Sequence, residues 1–266
     1  MNIQLIVFLL TGIIGLCVGS FLNVVIYRLP NNMSLAFPPS HCTECDYKLK
    51  WYDNIPIISY ILLKGKCRKC KTHISIRYTL VEILNTVLWL LCLLQFGIDS
   101  WQSIVCSAST ALACSICICV AFIDLEYQII FDRFQIMLGI LAIIFTVADT
   151  KTSVLSHIIG AVAGGLVFFV IGYFVSKKVG KEALGGGDIK FAFVSGLFLG
   201  WGKLLLMMLI SSISACIVLA LIQKNNKEDT KNNEYPFGPF LTAGFIIALI
   251  FGTVIINTYL HILGLE

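Results

Sequence analysis

Long apolar segments separated by short polar stretches make up most of the chain. They lie near residues 3–26, 78–97, 102–123, 134–148, 154–175, 189–202, 204–223 and 239–263. A helix needs roughly 20 apolar residues to cross the hydrocarbon core of a bilayer, and most of these segments reach or approach that length. The pattern predicts an all-α polytopic membrane protein with about eight transmembrane helices. Between the sixth and seventh segments, at residues 200–203, it requires either a tight turn or a re-entrant half-helix.

The distribution of positive charge predicts which side of the membrane each loop faces. No Lys or Arg precedes the first apolar segment, so this segment lacks the positive region of a cleaved secretory signal and is expected to remain as a span. With the N-terminus outside and Arg28 inside, eight spans leave all of the 19 Lys and Arg residues except Lys151 and Lys203 on the cytoplasmic side. Seven spans would move the lysines between residues 224 and 231 outside, against the preference of short loops for cytoplasmic cations.

Composition agrees with a membrane protein. Hydrophobic residues make up 58% of the 266 residues and charged residues 13%, against about 25% charged residues in a soluble domain. The one large hydrophilic insertion follows the first span. We therefore expect three parts: a first span at residues 1–27, a cytoplasmic loop domain at 28–77, and a transmembrane core of about seven spans at 78–266.

The cysteines fall into two groups. Seven of the eleven lie within apolar segments at no regular spacing and are expected to be small packing residues, since free Cys is readily buried. The other four form two C-x-x-C pairs in the large loop, Cys42 with Cys45 and Cys67 with Cys70. Two such pairs predict a tetrahedral four-thiolate zinc site.

A structural zinc ion is the preferred interpretation of this loop. Two disulfides are the rival, but cytoplasmic thiols stay reduced; unoccupied thiols or a redox role remain the alternatives. A loop of this size has little apolar surface, so metal binding would supply much of its folding energy. The many Lys and Arg residues of the loop favour contact with anionic lipid headgroups of the bilayer rather than with nucleic acid. A closed four-sulfur site leaves no open position for catalysis.

Two aspartates at span boundaries are the catalytic candidates. Asp124 ends the third apolar segment, and Asp188 follows three glycines and opens the sixth. Two carboxyl groups brought together where water is scarce cannot both ionise, so one can activate a water while the protonated one polarises a carbonyl, as in aspartic proteases. Each also has a structural interpretation, because Asp188 could be a helix N-cap and Asp124 a headgroup residue. Serine-hydrolase, zinc-protease and nucleotide-binding signatures are missing from the sequence.

The chain resembles the type IV prepilin peptidases, a family of membrane aspartic proteases. GSFLNVVIYRLP at residues 19–30 is similar to that family's opening segment. WYDNIPIISY, GKCRKC and ISIRYTLVE, between residues 51 and 82, resemble its cysteine-bearing loop. IDLEYQIIFD at 123–132 and GGGDIK at 185–190 resemble its two aspartate motifs, and PFGPFL at 236–241 also matches. The chain departs from the family pattern at Phe131 and Thr79, where proline is usual.

The resemblance implies that Asp124 and Asp188 are the catalytic pair of an enzyme in the bacterial cytoplasmic (inner) membrane. The implied substrates are prepilins or pseudopilins of a type IV pilus or type II secretion system, cut after glycine at the cytoplasmic face. The new N-terminal residue would then be methylated from S-adenosylmethionine, at a site expected near the large loop and Glu82. The rival hypotheses are a presenilin-like protease and a non-enzymatic transporter or zinc-stapled scaffold.

Overall fold

The computed structural model describes residues 3–179, 184–225 and 235–264. These residues form two compact units, Met1–Leu94 and Gln95–Glu266. The helices of the first unit are α1 (Ile3–Arg28), a 3-10 helix (Trp51–Asn54), α2 (Ile58–Leu62) and α3 (Arg77–Phe96). The second unit contains α4 (Trp101–Tyr127), α5 (Asp132–Ala148), α6 (Val154–Val179), α7 (Gly186–Asn225) and α8 (Gly238–Ile262).

The expected all-α membrane architecture is confirmed, and six helices in the described part of the chain are long and apolar enough to span a bilayer: α1, α3, α4, α6, α7 and α8. The expected count of eight differs in two places. The α5 helix has only 17 residues, and the sixth and seventh predicted segments both lie in α7, a 40-residue element with a kink at Gly200 that counts as one span by length. Eight spans would require α5 to cross and α7 to cross twice, so that number stays a prediction.

In the first unit, α1 and α3 cross closely because small residues occupy the contact. A Cβ on Gly15 would lie 3.1 Å from the Thr86 Cα, and one on Gly19 would lie 2.8 Å from the Glu82 Cα. The buried Asn85 amide donates to the Gly15 carbonyl at 2.7 Å. Small residues and an interhelical amide bond are the usual means by which membrane helices associate.

In the second unit, α6 and α7 cross by the same means. A Cβ on Gly196 would overlap the Gly160 carbonyl group, and a Cβ on Gly164 would overlap the Ala192 carbonyl oxygen. The two pairs are spaced four residues apart on each helix, so they form one continuous stripe at the contact. This crossing anchors the first half of α7, which carries Asp188 in its first turn.

Aromatic rings fill the core between α5, α7 and α8. Phe145 and Phe198 stack with ring centroids 4.6 Å apart, and Phe198 meets Phe245 edge to face at 5.6 Å.

Five of the seven cysteines expected to be packing residues are buried, while Cys17 and Cys216 are exposed on the surface of the helices.

The α7 helix breaks at Gly200, within the stretch where the sequence required a turn. Gly200 has φ 73° and ψ 169°, a backbone conformation that favours glycine. The break frees the Leu197 carbonyl from its helical partner, and side chains of neighbouring helices replace that donor: His157 Nδ1 lies 2.9 Å from the carbonyl oxygen and Thr146 donates to it at 3.2 Å. His157 Nε2 lies 3.6 Å from Asp149 Oδ2.

Candidate active site and metal centre

The four loop cysteines converge on one point in the first unit. Their sulfur atoms all lie within 4.8 Å of one another, with Cys42 and Cys70 3.7 Å apart and Cys45 and Cys67 3.9 Å apart. Zinc–sulfur bonds of 2.3 Å in a tetrahedron require sulfur–sulfur distances of about 3.8 Å. The geometry therefore fits a four-thiolate zinc ion, as the spacing of the two pairs predicts.

The two C-x-x-C segments adopt the same backbone turn. In the first, the Cys42 N–H donates to the Tyr47 carbonyl and the Asp46 N–H donates to the Cys42 carbonyl. The equivalent bonds in the second run from Cys67 to Thr72 and from Lys71 to Cys67. Asp46 and Lys71 both have positive φ, 52° and 62°, so each turn reverses the chain directly after its second cysteine. The repetition of the turn aims both pairs of sulfurs at one centre.

Asp53 joins the two turns, a role that sequence reasoning missed. Its carboxylate accepts from Arg68 Nε at 2.7 Å and from the Tyr47 hydroxyl at 3.3 Å, one residue from each turn. Burial opposes ionisation of Asp53, but the Arg68 guanidinium and the Lys50 N–H outweigh it and lower the pKa of the carboxyl. Asp53 thus holds the metal-binding turns in register through charge-assisted hydrogen bonds.

Asp124 lies at the end of α4 in the second unit. It is buried, with 6% of its surface exposed, and α4 ends three residues later at Tyr127, where the C-cap residue Gln128, with a φ of 55°, turns the chain away. The Asp124 Oδ2 accepts a hydrogen bond of 2.9 Å from the N–H of Gly238, the first residue of α8. Asp124 is therefore not a headgroup residue exposed to water but a buried carboxyl with a defined donor.

Asp188 lies in the first turn of α7, two residues inside the helix, so it does not occupy the N-cap position. It is half-buried, and its carboxyl group is close enough to Asp124 to interact electrostatically with it. Gly187 lets the start of α7 pack closely on the segment after α4, since a Cβ there would lie 3.0 Å from the Ile130 Cβ. The Asp188 carboxyl thus lies within electrostatic range of a carboxyl group that is 64 positions away in the sequence.

A third polar side chain contacts the glycine turn before Asp188. The Gln135 amide of α5 donates to the Gly187 carbonyl at 3.3 Å and is buried. Near this turn Asp132 and Lys190 form an exposed ion pair of 2.6 Å. No signal in the sequence distinguished Gln135 from an ordinary residue of an apolar helix.

A separate cavity of about 710 Å³ lies in the first unit, among α1, α3 and the metal-binding loop. Its lining includes Asn23, Glu44, Tyr60 and Glu82 beside apolar side chains. The Glu82 carboxylate is buried and accepts from the Ile57 N–H at 2.8 Å. A concave site of this size that combines apolar walls with a few polar groups is typical of small-molecule binding.

Comparison with known proteins matches the chain to two family models. Residues 13–96 match the bacterial peptidase A24 N-terminal domain, and residues 111–221 match the type IV leader peptidase family. These matches, together with helices long and apolar enough to span a bilayer, define the class as membrane peptidases. This chain is a member of the type IV leader peptidase family.

Curated relatives align with most or nearly all of this chain. A prepilin leader peptidase/N-methyltransferase of Neisseria gonorrhoeae is 34% identical, with 90% of this chain and 88% of the relative aligned. One of Pseudomonas aeruginosa is 32% identical over 97% and 95% of the two chains. One of Myxococcus xanthus is 38% identical over 77% of this chain and 60% of the relative. No solved structure matches the chain.

Proposed function

We propose that this protein is a membrane aspartic endopeptidase that removes the leader peptide of type IV prepilins or pseudopilins. It cuts after glycine at the cytoplasmic face of the bacterial inner membrane and then methylates the new N-terminal residue from S-adenosylmethionine. The observation that carries the proposal is that a buried Asp124 and a half-buried Asp188, at the ends of two different helices, lie within electrostatic range of each other. The names of the relatives support the same substrate and both activities.

Hydrolysis needs one ionised and one protonated carboxyl group. The ionised group takes a proton from a water molecule, whose oxygen attacks the carbonyl carbon of the scissile peptide. The protonated group donates to the carbonyl oxygen and stabilises the negative charge that develops there. Breakage of the C–N bond then releases a carboxyl end on the leader and a free amino end on the mature subunit.

The orientation proposed for the chain places this reaction beside the cytoplasm. With the N-terminus outside, Arg28 and the four-cysteine loop are cytoplasmic, and Asp124 and Asp188 lie at the same face. The apolar helix surfaces around the aspartates suit a substrate whose scissile bond directly precedes a hydrophobic segment. Zinc would hold the loop folded through Cys42, Cys45, Cys67 and Cys70 without taking part in the reaction.

The methyl-donor site is proposed for the cavity of the first unit. S-adenosylmethionine supplies an electrophilic methyl group on a cationic sulfonium, so a buried carboxylate beside apolar walls is a suitable environment for it. Glu82 supplies that carboxylate, and its bond to the Ile57 N–H fixes its orientation. Polar side chains such as Asn23 and Glu44 are available for the polar ends of the donor.

The test is incubation of the detergent-purified protein with a prepilin and S-adenosylmethionine, followed by mass spectrometry of the product N-terminus. Cleavage after glycine with an added methyl group is the expected result, and cleavage alone would confine the function to a peptidase. An intact prepilin, with the protein folded, would favour the transporter or scaffold hypothesis. Cleavage of unrelated membrane segments with equal efficiency would instead favour a presenilin-like protease.

A further inference from the structure

The first residue of α8 makes a direct contact with one of the two aspartates. The Gly238 N–H donates to Asp124 Oδ2 at 2.9 Å, and Gly238 itself is buried. The Gly238 carbonyl accepts in turn from the Thr242 hydroxyl at 3.0 Å. Thr242 is also buried, so the start of α8 is held in place and its N–H points at Asp124 with little freedom to move.

Only glycine fits at position 238. A Cβ there would lie 2.6 Å from Asp124 Oδ2 and 2.9 Å from Asp124 Cγ. Both distances are well inside van der Waals contact, and the neighbouring atoms belong to a carboxyl group already confined by burial. The backbone amide can therefore approach the carboxylate only because the residue has no side chain.

The surroundings of Asp188 differ from those of Asp124. Asp188 lies in the first turn of α7, and Asp124 lies against the first turn of α8, so a helix dipole favours negative charge at both. The dipoles therefore do not distinguish the two. The Gly185 N–H approaches the Asp188 carboxyl and also favours its charged form, whereas the Gly238 N–H makes a defined hydrogen bond of 2.9 Å to Asp124.

We infer that Gly238 is a positioning residue that holds Asp124 as the ionised, water-activating carboxylate and leaves Asp188 to carry the proton of the pair. A hydrogen bond to a carboxylate favours its charged form, and two close carboxyls ionise only one at a time without a large penalty. The proton of the attacking water passes to Asp124, and the Asp188 proton goes to the carbonyl oxygen of the scissile bond. This inference rests on the proposed peptidase function.

The first test replaces Gly238 by alanine and uses Gly244→Ala as its matched control. Gly244 lies six residues, about 9 Å, further along the same helix, and a Cβ there would overlap the Ser211 hydroxyl and lie 2.8 Å from the Met207 carbonyl oxygen rather than meet Asp124. Gly238→Ala is expected to lower kcat about 100-fold with KM nearly unchanged, since displacement of a catalytic group by about 1 Å has that effect. Gly244→Ala, at a comparable loss of thermal stability, is expected to keep kcat within several-fold. Equal losses of kcat would overturn the positioning role.

The second test separates the roles of the two carboxyls with nearly isosteric variants that keep the fold. Asparagine can still donate a hydrogen bond to a carbonyl but cannot accept a proton from water. Asp188→Asn is therefore expected to retain at least about tenfold more cleavage than Asp124→Asn, measured by prepilin mass spectrometry. The reverse order, or equal residual activity, would contradict the assignment. Full activity in both variants would instead refute the proposed aspartic function itself.

Discussion

Gly196→Ala is expected to disturb the crossing of α6 and α7, because the contact has no room for the added methyl group. A Cβ there would overlap the Gly160 carbonyl and lie 2.8 Å from the Ala161 nitrogen. Ordinary contacts begin near 3.4 Å, so Gly196→Ala must push the helices apart by roughly 1 Å at the crossing.

The energetic cost follows from two opposing effects. Overpacking of a well-packed contact costs about 1–3 kcal/mol, whereas replacing a helical glycine by alanine contributes about 0.5–1 kcal/mol of stability. The expected result is a net loss of up to about 2.5 kcal/mol in the free energy of unfolding. Because Asp188 lies on the same helix two turns earlier, prepilin cleavage should fall as well.

The matched control is Gly202→Ala in the same helix, where a Cβ meets no atom within 4 Å. It should leave stability unchanged or raise it by up to about 1 kcal/mol. The melting temperatures of both variants are measured in detergent, with unfolding monitored by the reaction of a fluorescent thiol probe with the buried cysteines. If Gly196→Ala melted at or above the temperature of the control, the close crossing of α6 and α7 would be wrong.

Three further predictions concern the metal centre, a loop carboxylate and the cavity. Cys42→Ser with Cys45→Ser should abolish bound zinc and expose the loop to proteolysis; elemental analysis finding no zinc in the unaltered protein would refute the site. Burial opposes ionisation of Asp149, but the nearby His157 ring, the Lys151 N–H and the Thr152 side chain hold its pKa at about 2, below the ordinary value of 3.8. The stability that the ionised Asp149 carboxylate contributes to the folded protein is therefore complete above about pH 4 and is lost as pH falls towards 2. Asp149→Asn should lower the melting temperature at neutral pH and remove that dependence on acid. Glu82→Gln should reduce methylation while cleavage persists; unchanged methylation in the mass of the product would exclude Glu82 from the donor site.

Local patterns in the sequence were sufficient to predict the helices and the metal centre. Apolar segments of spanning length indicate membrane helices wherever they occur, and the spacing of a C-x-x-C pair fixes the direction of its own two sulfurs. The four cysteines meet as that spacing predicts. The break at Gly200 was also foreseeable, because the apolar stretch around it was too long for one span and contained Gly200 and Gly202 near its middle.

Contacts between distant helices could not be predicted from such patterns. The bond from Gly238 to Asp124 joins positions 114 residues apart, and nothing near either residue indicates the other. Asp53 was overlooked because one acidic residue in a basic loop resembles a solvated charge, although its side chain is fully buried. The count of spans remained open because α5 is near the minimum length for crossing, and length alone does not decide it.

The most direct test of the central claim is the rate of prepilin cleavage by Asp124→Ala and Asp188→Ala beside Asp132→Ala. Asp132 is a suitable control because it is an acidic residue near the same site whose carboxylate pairs only with the exposed Lys190 in the described structure. We expect both catalytic variants to lose cleavage completely while remaining folded and membrane-inserted, and Asp132→Ala to keep most of it. Full cleavage by either Asp124→Ala or Asp188→Ala would contradict the aspartic mechanism.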